Sequence, residues 1–418
     1  MATALLEEAI RHLASIERPS ASEGEREAAE WIAAKLRDLG CEARVEAEDA
    51  HGTYWWPLGL LTGAAAVTGA LASRRARSGR PWRALTAAVG GAAAAAIADD
   101  ISGGRLWFRR AVLPSRRCWN VVAEAGDPAA DETVVLVAHH DAARSGLIFH
   151  PAPAQLIGAR FPGLLERADT TPPLMWPVVG GPLLVGAGAV AGWLAPVRAG
   201  TVLALGSAAA FAEIASREVV PGANDNLTGV ATLIGVAEAL RRDPVRDLRV
   251  LLVSTGSEES FMEGMQGFAH RHFPSLPVDR THFVCVDTVG SPELIQLEGE
   301  GMLRMRDYPE SFKGLVSACA LQTGVHLRRG LRVRNATHGL IALRAGYPTV
   351  MLGSVNHLKL PDNYHWPTDT ADNVRLGTVA DAVRLCTAVV RRLSPSQDAA
   401  PAAVTPTREP EPAPRPAS

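Results

Sequence analysis

Short runs of apolar residues recur along the chain, at 134–138, 248–254, 282–286 and 347–353. Strands of a parallel sheet have this composition when helices cover both faces of the sheet, because every side chain is then buried. Between the runs, apolar residues recur at helical spacing, as at 230–240. Residues 41–47 and 119–124 predict two more strands. We therefore predict an α/β fold with a mixed, mainly parallel sheet and helices on both faces.

Two pairs of longer apolar runs interrupt this pattern, at 55–72 with 84–98 and at 174–197 with 199–212. None of the four runs contains a charged residue. Runs of about 17–25 apolar residues can span a bilayer, and those of about 14–15 are borderline. Trp55, Trp56, Trp82, Trp176 and Trp193 lie at or near their ends, as in an interfacial aromatic belt. We predict two inserted hydrophobic helical hairpins, at 54–100 and 170–216; buried Ala/Gly-rich helices of a soluble protein are the alternative.

The hairpins divide the rest of the chain into three parts, which we predict to form one α/β domain: 1–50, 113–150 and 217–393. Residues 394–418 are rich in Pro and Ala without apolar periodicity, which predicts a disordered tail. The formal net charge of −2 gives no indication of nucleic-acid binding. Five scattered cysteines without CxxC spacing predict free thiols and favour a reducing compartment, and the first residues do not resemble a signal peptide.

Polar residues follow the predicted strands. His139 and Asp141 end the first, Glu258 and Glu259 follow the second, Asp287 follows the third and His365 comes soon after the fourth. Asp225, in an Asn-Asp-Asn cluster, directly precedes a helical stretch. Each is ordinary by itself, as a strand end, a loop residue or a helix N-cap. Together they are hard to explain by chance, because open α/β sheets place their sites beyond the carboxyl ends of the strands.

These residue types suit a pair of divalent metal ions. Two zinc ions need several nitrogen and oxygen ligands, and a carboxylate can bridge them because it has two oxygens. Hydrolysis also needs a carboxylate that stays off the metals and accepts a proton from water. Adjacent residues such as Glu258 and Glu259 can divide these tasks.

The chain resembles the co-catalytic zinc aminopeptidases that include the bacterial leucyl aminopeptidases, metallopeptidase family 28. The resemblance rests on His139-x-Asp141, Gly222-Ala-Asn-Asp225-Asn, Glu258-Glu259, Asp287-Thr-Val-Gly290 and Tyr364-His365 with Asp369-Thr370. It implies two zinc ions per chain, one on His139 and Asp287, the other on Glu259 and His365, with Asp225 bridging. It further implies that Glu258 is the general base, that Asp141 orients His139, and that the substrate is the amino end of a peptide.

Two features depart from the family pattern. The second hydrophobic pair lies between His139 and Asp225, and Ala336-Thr337-His338 stands where the family often has Ser-Asp-His. Two alternatives therefore stay open: a catalytically silent membrane interaction module, which would not need Glu258, and a single-zinc aminoacyl cyclase of the same fold, which would not need His139. The sequence does not indicate an oligomeric state.

Basic residues give conflicting indications of membrane orientation. Arginines 74–83 draw the link of the first hairpin towards the cytoplasm, whereas five arginines at 105–117 draw the catalytic side there. The free cysteines and the lack of an export signal agree with the second group. We predict a membrane protein with a cytoplasmic active site and with peptide and lipid bilayer as its partners.

Overall fold

The computed structural model describes residues 2–74 and 79–395, so Arg75, Arg77 and nearly all of the predicted tail lie outside the described residues. Its helices are α1 (Ala2–Ala14), α2 (Glu23–Asp38), α3 (Trp55–Arg74), α4 (Arg80–Ile101), α5 (Trp107–Val112), α6 (Pro151–Arg160), α7 (Pro162–Arg167), α8 (Trp176–Ala191), α9 (Leu194–Ser216), α10 (Thr228–Arg242), α11 (Glu263–His272), α12 (Glu310–Thr323), α13 (His338–Arg344) and α14 (Leu376–Leu393). Its strands are β1 (Glu42–Ala50), β2 (Arg116–Gly126), β3 (Thr133–His139), β4 (Arg249–Thr255), β5 (Thr281–Val286), β6 (Glu293–Glu300), β7 (Arg306–Asp307), β8 (Arg328–Val333) and β9 (Thr349–Val355).

The described strands form one mixed sheet of nine, in the order β1-β2-β4-β3-β5-β9-β6-β7, with β8 paired to β6. The four central strands, β4, β3, β5 and β9, are parallel, and antiparallel strands β2 and β6 flank them. The four apolar runs correspond to these central strands because both of their faces are buried. The predicted mixed α/β fold with helices on both faces is confirmed.

Alternate side chains of β3 show how the sheet is covered. Val134, Leu136 and Ala138 pack among α1, α2, α10, α12 and α14 on one face. Val135 and Val137 point to the other face, where α11, α13 and the near ends of the hairpin helices lie. The hairpin helices thus complete the cover of the second face, and their near ends lie beside the loops that follow the strands.

The two hydrophobic insertions form an antiparallel bundle of four helices, in which α3 packs against α9 and α4 against α8. Helices α4 and α8 approach closely: a Cβ added to Gly90 would lie 2.5 Å from the backbone nitrogen of Gly186. Small residues at such a crossing are common between helices in membranes. Helices α3 and α8 begin at the α/β domain that contains the sheet, and helices α4 and α9 end there.

Three described helices, α3, α4 and α9, are long and apolar enough to cross a membrane, with 20, 22 and 23 residues. Helix α8 has 16 residues, shorter than its apolar run, because Gly192 adopts a left-handed conformation that ends it. At about 1.5 Å per residue it spans about 24 Å, less than the roughly 30 Å of a hydrocarbon core. The second hairpin is therefore asymmetric.

Candidate metal centre

The site lies beyond the carboxyl ends of the central parallel strands. His139 is the last residue of β3, and Asp287 directly follows β5. Glu258 and Glu259 lie in the loop after β4, whose last residue, Thr255, is in register with His139. Parallel pairing therefore brings three loops to one edge of the sheet.

Two segments complete the site from outside these strands. Asp225 belongs to a turn before α10 in which it has extended rather than helical dihedral angles. The neighbouring Asn226 does cap the helix, because its Oδ1 accepts a hydrogen bond from Gly229 N at 3.0 Å. His365 lies in the loop after β9, with its ring stacked on Tyr364 at 3.9 Å between centroids.

The carboxylate of Asp225 lies between the two imidazoles. Its Oδ1 is 3.2 Å from His139 Nε2, and its Oδ2 is 3.2 Å from His365 Nε2. His139 Nε2 is also 3.8 Å from Asp287 Oδ1, and His365 Nε2 is 3.2 Å from Glu259 Oε2. The structure thus brings the five predicted ligands together as two donor sets that share the carboxylate of Asp225.

The spacing and chemistry of these donors fit metal ions. Ligands on a tetrahedral zinc ion, each about 2.0–2.1 Å from the metal, lie about 3.3–3.4 Å from one another. Three of the four measured donor separations are 3.2 Å and the fourth is 3.8 Å. Glu259 Oε1 is buried without a hydrogen-bond partner among the described residues. Such an oxygen is costly to bury unless it coordinates a cation.

The charges of the site favour cations in the same place. Burial alone would raise the pKa of Asp225, but hydrogen bonds from His139 and His365 outweigh burial and hold that pKa well below its ordinary value. Burial lowers the pKa of His365, yet the carboxylates of Glu259 and Asp225 raise it to about 10. The carboxylates therefore hold protons on imidazoles, and a divalent cation would displace those protons on binding.

Glu258 differs from the five donors in its exposure: it is partly exposed to the cavity, whereas they are buried. Burial raises the pKa of Glu258 well above its ordinary value, and the negative charges of Glu259 and Asp287 act in the same direction. A bound cation acts in the opposite direction. Glu258 therefore faces the cavity, and the charges around it can tune the pKa of its carboxyl group.

Asp141 holds the loop that carries the two glutamates. Its Oδ1 accepts a hydrogen bond from Glu258 N and its Oδ2 accepts one from Glu259 N, both at 3.0 Å. Ser20 Oγ donates to Oδ2 at 2.7 Å. Asp141 Oδ1 lies 3.4 Å from His139 Nδ1. The carboxylate thus contacts His139, as expected, and also fixes the glutamate loop, which was not expected.

Two further side chains hold the turn of Asp225. Asp369 accepts hydrogen bonds from the backbone nitrogens of Asn224 and Asp225, at 2.7 and 3.1 Å. The buried guanidinium of Arg18 donates to the carbonyl oxygens of Pro221 and Gly222, at 2.7 and 2.8 Å. Both side chains are far from Asp225 in the sequence. Only the motif Asp369-Thr370 gave a sequence signal, and Arg18 gave none.

A buried ion cluster connects the first hairpin to the glutamate loop. Arg109, which is fully buried, pairs with Asp100 near the end of α4 at 2.5 Å and lies 3.4 Å from Glu263. It also donates to the carbonyl oxygen of Ser260. Burial opposes ionisation of Glu263, but Arg109 and His51 outweigh it and lower its pKa to about 2. No spacing pattern in the sequence indicated this cluster.

His338 lies close to the donors but is bonded elsewhere. Glu258, Asp287 and His338 could also hold an ion, since each has a ligand atom within 4.8 Å of the others. However, His338 Nε2 lies 3.1 Å from the carbonyl oxygen of Val137, where it can donate a hydrogen bond. Burial lowers the pKa of His338 to about 3, so its ring is neutral. The arrangement around Asp225 is the better candidate, because it alone lets one carboxylate reach two donor sets.

A cavity of about 520 Å³ opens above the donors. Its floor includes His139, Asp225 and Glu258, and its walls are mainly apolar, with Ile148 and Leu174 on one side. A cavity of this size can take several side chains of an extended peptide or one small molecule. The donor sets and the cavity above them are the arrangement that a metal-dependent hydrolase needs.

Residues 210–390 match the model of peptidase family M28, and this segment of the chain belongs to that family. The matched segment contains Asp225, Glu258, Glu259, Asp287 and His365, whereas His139 precedes it. The match agrees with the family predicted from the motifs over this part of the chain. No curated protein matches the chain.

Several solved structures are similar in fold. LapB from Legionella pneumophila is 12% identical with a TM-score of 0.53, over 94% of this chain and 72% of that one. BSAP, a zinc aminopeptidase from Bacillus subtilis, is 13% identical with a TM-score of 0.53, over 93% and 94%. A glutaminyl cyclase from Bacteroides thetaiotaomicron bound to N-acetylhistamine is 12% identical with a TM-score of 0.53, over 93% and 97%. At these identities the similarity is one of fold.

Proposed function

We propose that the protein is a membrane-associated dinuclear zinc aminopeptidase. The observation that carries this proposal is the carboxylate of Asp225, whose two oxygens lie 3.2 Å from the two imidazoles of separate donor sets. By this proposal His139 and Asp287 hold one ion, Glu259 and His365 hold the other, and Asp225 bridges them. Bound zinc ions would polarise the scissile carbonyl and make water a stronger nucleophile at neutral pH.

The protein side chains then have separate tasks. Glu258 faces the cavity, so it can take a proton from the attacking water and return it to the amine that leaves. Asp141 keeps Glu258 and Glu259 in place through their backbone nitrogens and supports His139 from behind. Asp369 and Arg18 keep the Asp225 turn in position. Cleavage at the amino end of a peptide is supported by the aminopeptidases among the similar structures.

The membrane part of the proposal is supported by the length and apolar composition of α3, α4 and α9. All four hairpin helices have one end at the peptidase domain, so that domain lies on a single side of the bilayer. Arg110, Arg116 and Arg117 are exposed on that side and support a cytoplasmic active site. Arg109 contributes less than the sequence suggested, because its charge is buried against Asp100.

A single-zinc aminoacyl cyclase is the second candidate, because a glutaminyl cyclase is among the similar structures. His139 speaks against it: its Nε2 lies within 3.2 Å of Asp225 and 3.8 Å of Asp287, a donor set that a single ion would leave unused. A silent membrane module is disfavoured by Glu258, whose exposure to the cavity has no structural purpose.

The test is Glu258→Gln, which keeps the size of the side chain and removes its basicity. We expect turnover of an unblocked peptide to fall by about 10²–10⁴-fold or more, with zinc content unchanged. Exposed Glu310 in α12 supplies the control, and Glu310→Gln should retain full activity. Turnover like that of the wild type in a zinc-loaded Glu258→Gln variant would exclude the role of general base.

A further inference from the structure

Residues 147–174, which we call the wall segment, run from β3 to α8 and form one side of the cavity. Ile148, Ile157 and Leu174 line the cavity. Other apolar side chains point outwards: Leu147, Leu156 and Phe161 are 58%, 71% and 55% exposed. Helix α6, within this segment, has Gly158 as its only buried residue. Soluble proteins rarely expose large apolar side chains at this density, so the wall segment is suited to a covering partner.

Charge is almost absent from α6. In its sequence PAPAQLIGAR the single charged residue is Arg160, at the end of the helix. The carboxyl-terminal part of the wall segment carries charges of both signs, with Glu166 and Asp169 on either side of Arg167, and Lys359 of the adjoining loop donates to the carbonyl oxygen of Ala168. The charges thus lie beyond the apolar side chains of α6, and an apolar surface helix with its charges at the edges can rest in the interfacial layer of a bilayer.

The wall segment adjoins the four-helix bundle at both of its ends. At its start, Leu147 N donates to Glu213 Oε2 near the end of α9, at 3.1 Å. At its finish, Leu174 lies two residues before Trp176, the first residue of α8. The exposed surface is therefore continuous with helices of the bundle, at the end that meets the peptidase domain.

Exposed indole rings mark the same level of the bundle. Trp56 at the start of α3, Trp107 just after α4 and Trp176 at the start of α8 are 56%, 48% and 49% exposed. The guanidinium of Arg334 lies 5.1 Å from the ring of Trp176. Tryptophan and arginine are the residues that sit at a membrane-water interface. The wall segment thus lies where the membrane surface would lie if the bundle spans a bilayer.

We propose that the wall segment rests in the interfacial layer of the bilayer, so that the active-site cavity opens at the membrane surface and receives peptides whose carboxyl-terminal part is held by lipid and whose amino end is free. This proposal rests on the peptidase function and bundle orientation proposed above and specifies the class of substrate. The same segment has an outer face for lipid and an inner face for substrate, so a peptide can pass from the bilayer surface into the cavity along apolar contacts.

The placement of the wall segment can be tested without enzymatic activity. The five native cysteines are free and buried, so a fluorophore can be attached selectively to Leu156→Cys. Leu321→Cys is the matched control, because Leu321 is 83% exposed on α12. In nanodiscs containing brominated lipid, we expect strong quenching at position 156 and little at position 321.

Equal quenching at both positions would overturn the placement. A label at position 156 that is shielded from both lipid-borne and aqueous quenchers would indicate a second protein chain on this surface and would equally reject the proposal.

The substrate class is tested with two peptides of one sequence, with and without a palmitoyl group on a lysine near the carboxyl end. In vesicles, we expect kcat/KM to be at least tenfold higher for the palmitoylated peptide. The variant Leu156→Gln/Phe161→Gln changes two side chains that do not line the cavity. This double variant should reduce the advantage of the palmitoylated peptide severalfold and leave turnover of the soluble peptide unchanged. The control variant Leu321→Gln should leave turnover of both peptides unchanged.

Equal turnover of the two peptides by the wild type would reject the lipid-held substrate class while leaving the peptidase function intact. Hydrolysis of neither peptide by zinc-loaded protein would instead count against the peptidase function, and the quenching result would still decide where the wall segment lies.

Discussion

Replacing Arg109 with Met should destabilise the protein strongly, because this side chain neutralises two buried carboxylates. Its guanidinium pairs with Asp100 at 2.5 and 3.2 Å and lies 3.4 Å from Glu263, and all three side chains are at most 3% exposed. Methionine has a similar length and fills the space, so the change removes mainly charge and hydrogen bonds.

The loss of stability can be estimated from the two buried carboxylates that remain after Arg109 is removed. Breaking a buried ion pair by removing one partner typically costs about 3–5 kcal/mol, because a charge is left without a partner. Glu263 keeps its hydrogen bonds from His51 and Ser260. Asp100 keeps no partner of opposite charge within the described part of the chain. We therefore expect a loss of about 3–5 kcal/mol at pH 7, which for a chain of this size is a lowering of Tm by roughly 5 °C.

The pH dependence of this loss follows from Glu263. Its pKa of about 2 lies below the unfolded value of 4.5, so its ionised form stabilises the wild type above pH 4.5, and that contribution is lost as the pH falls towards 2. The difference in the free energy of unfolding between the wild type and Arg109→Met should therefore be largest near neutral pH and should become smaller below about pH 4.5.

Thermal unfolding in detergent, recorded between about pH 2.5 and 8, measures both effects. Arg110→Met is the matched control, because Arg110 is next to Arg109 in the sequence and its side chain is exposed. This change should alter the free energy of unfolding by less than about 0.5 kcal/mol. An Arg109→Met variant with the Tm of the wild type at pH 7 would refute the assignment of this ion cluster as a stabilising connection.

Three further predictions concern the site, its orientation and a second buried acid. Asp225→Ala should lose at least one zinc ion per chain and most activity, because two cations lose their shared anion; full zinc content with intact activity, by metal analysis, would contradict the bridging role. A cysteine added at the end of the chain should react with an impermeant reagent only after cell lysis, since the native thiols are buried; labelling of intact cells would reverse the orientation, and recovery in the soluble fraction would reject the membrane hairpins. Burial raises the pKa of Glu300 to about 7, so its folded form retains a proton that the unfolded chain releases near pH 4.5, and stability should fall as the pH rises from 4.5 to 7. Glu300→Gln should flatten that slope in unfolding titrations, and an unchanged slope would refute the shift.

The central strands and the side chains that gather around Asp225 were predictable because each has a local signature. Buried parallel strands are apolar on both faces, and the residues that follow them meet at one edge of the sheet. The sequence alone therefore predicts that His139, Glu259 and Asp287 lie close together. Strands β6 and β8 were missed, because ELIQLEGE and RRGLRV mix charged with apolar residues and resemble loops.

The supporting contacts were not predictable for a different reason. Arg18 reaches Gly222 across 204 positions, and Arg109 reaches Ser260 across 151. Neither arginine differs from a surface arginine in its neighbours along the chain. The sequence did not predict the outward apolar face of α6 either. This helix has two prolines and only 10 residues, so its sequence pattern is that of neither a membrane span nor a regular amphipathic helix.

The central claim is that one carboxylate joins two metal ions, and the zinc content per chain tests it most directly. Purified wild-type protein, loaded with zinc and freed of excess metal, should contain two zinc ions per chain and hydrolyse an unblocked peptide but not its N-acetylated form. One ion per chain would support the cyclase, and no ion would support a silent module; either result would contradict the dinuclear aminopeptidase.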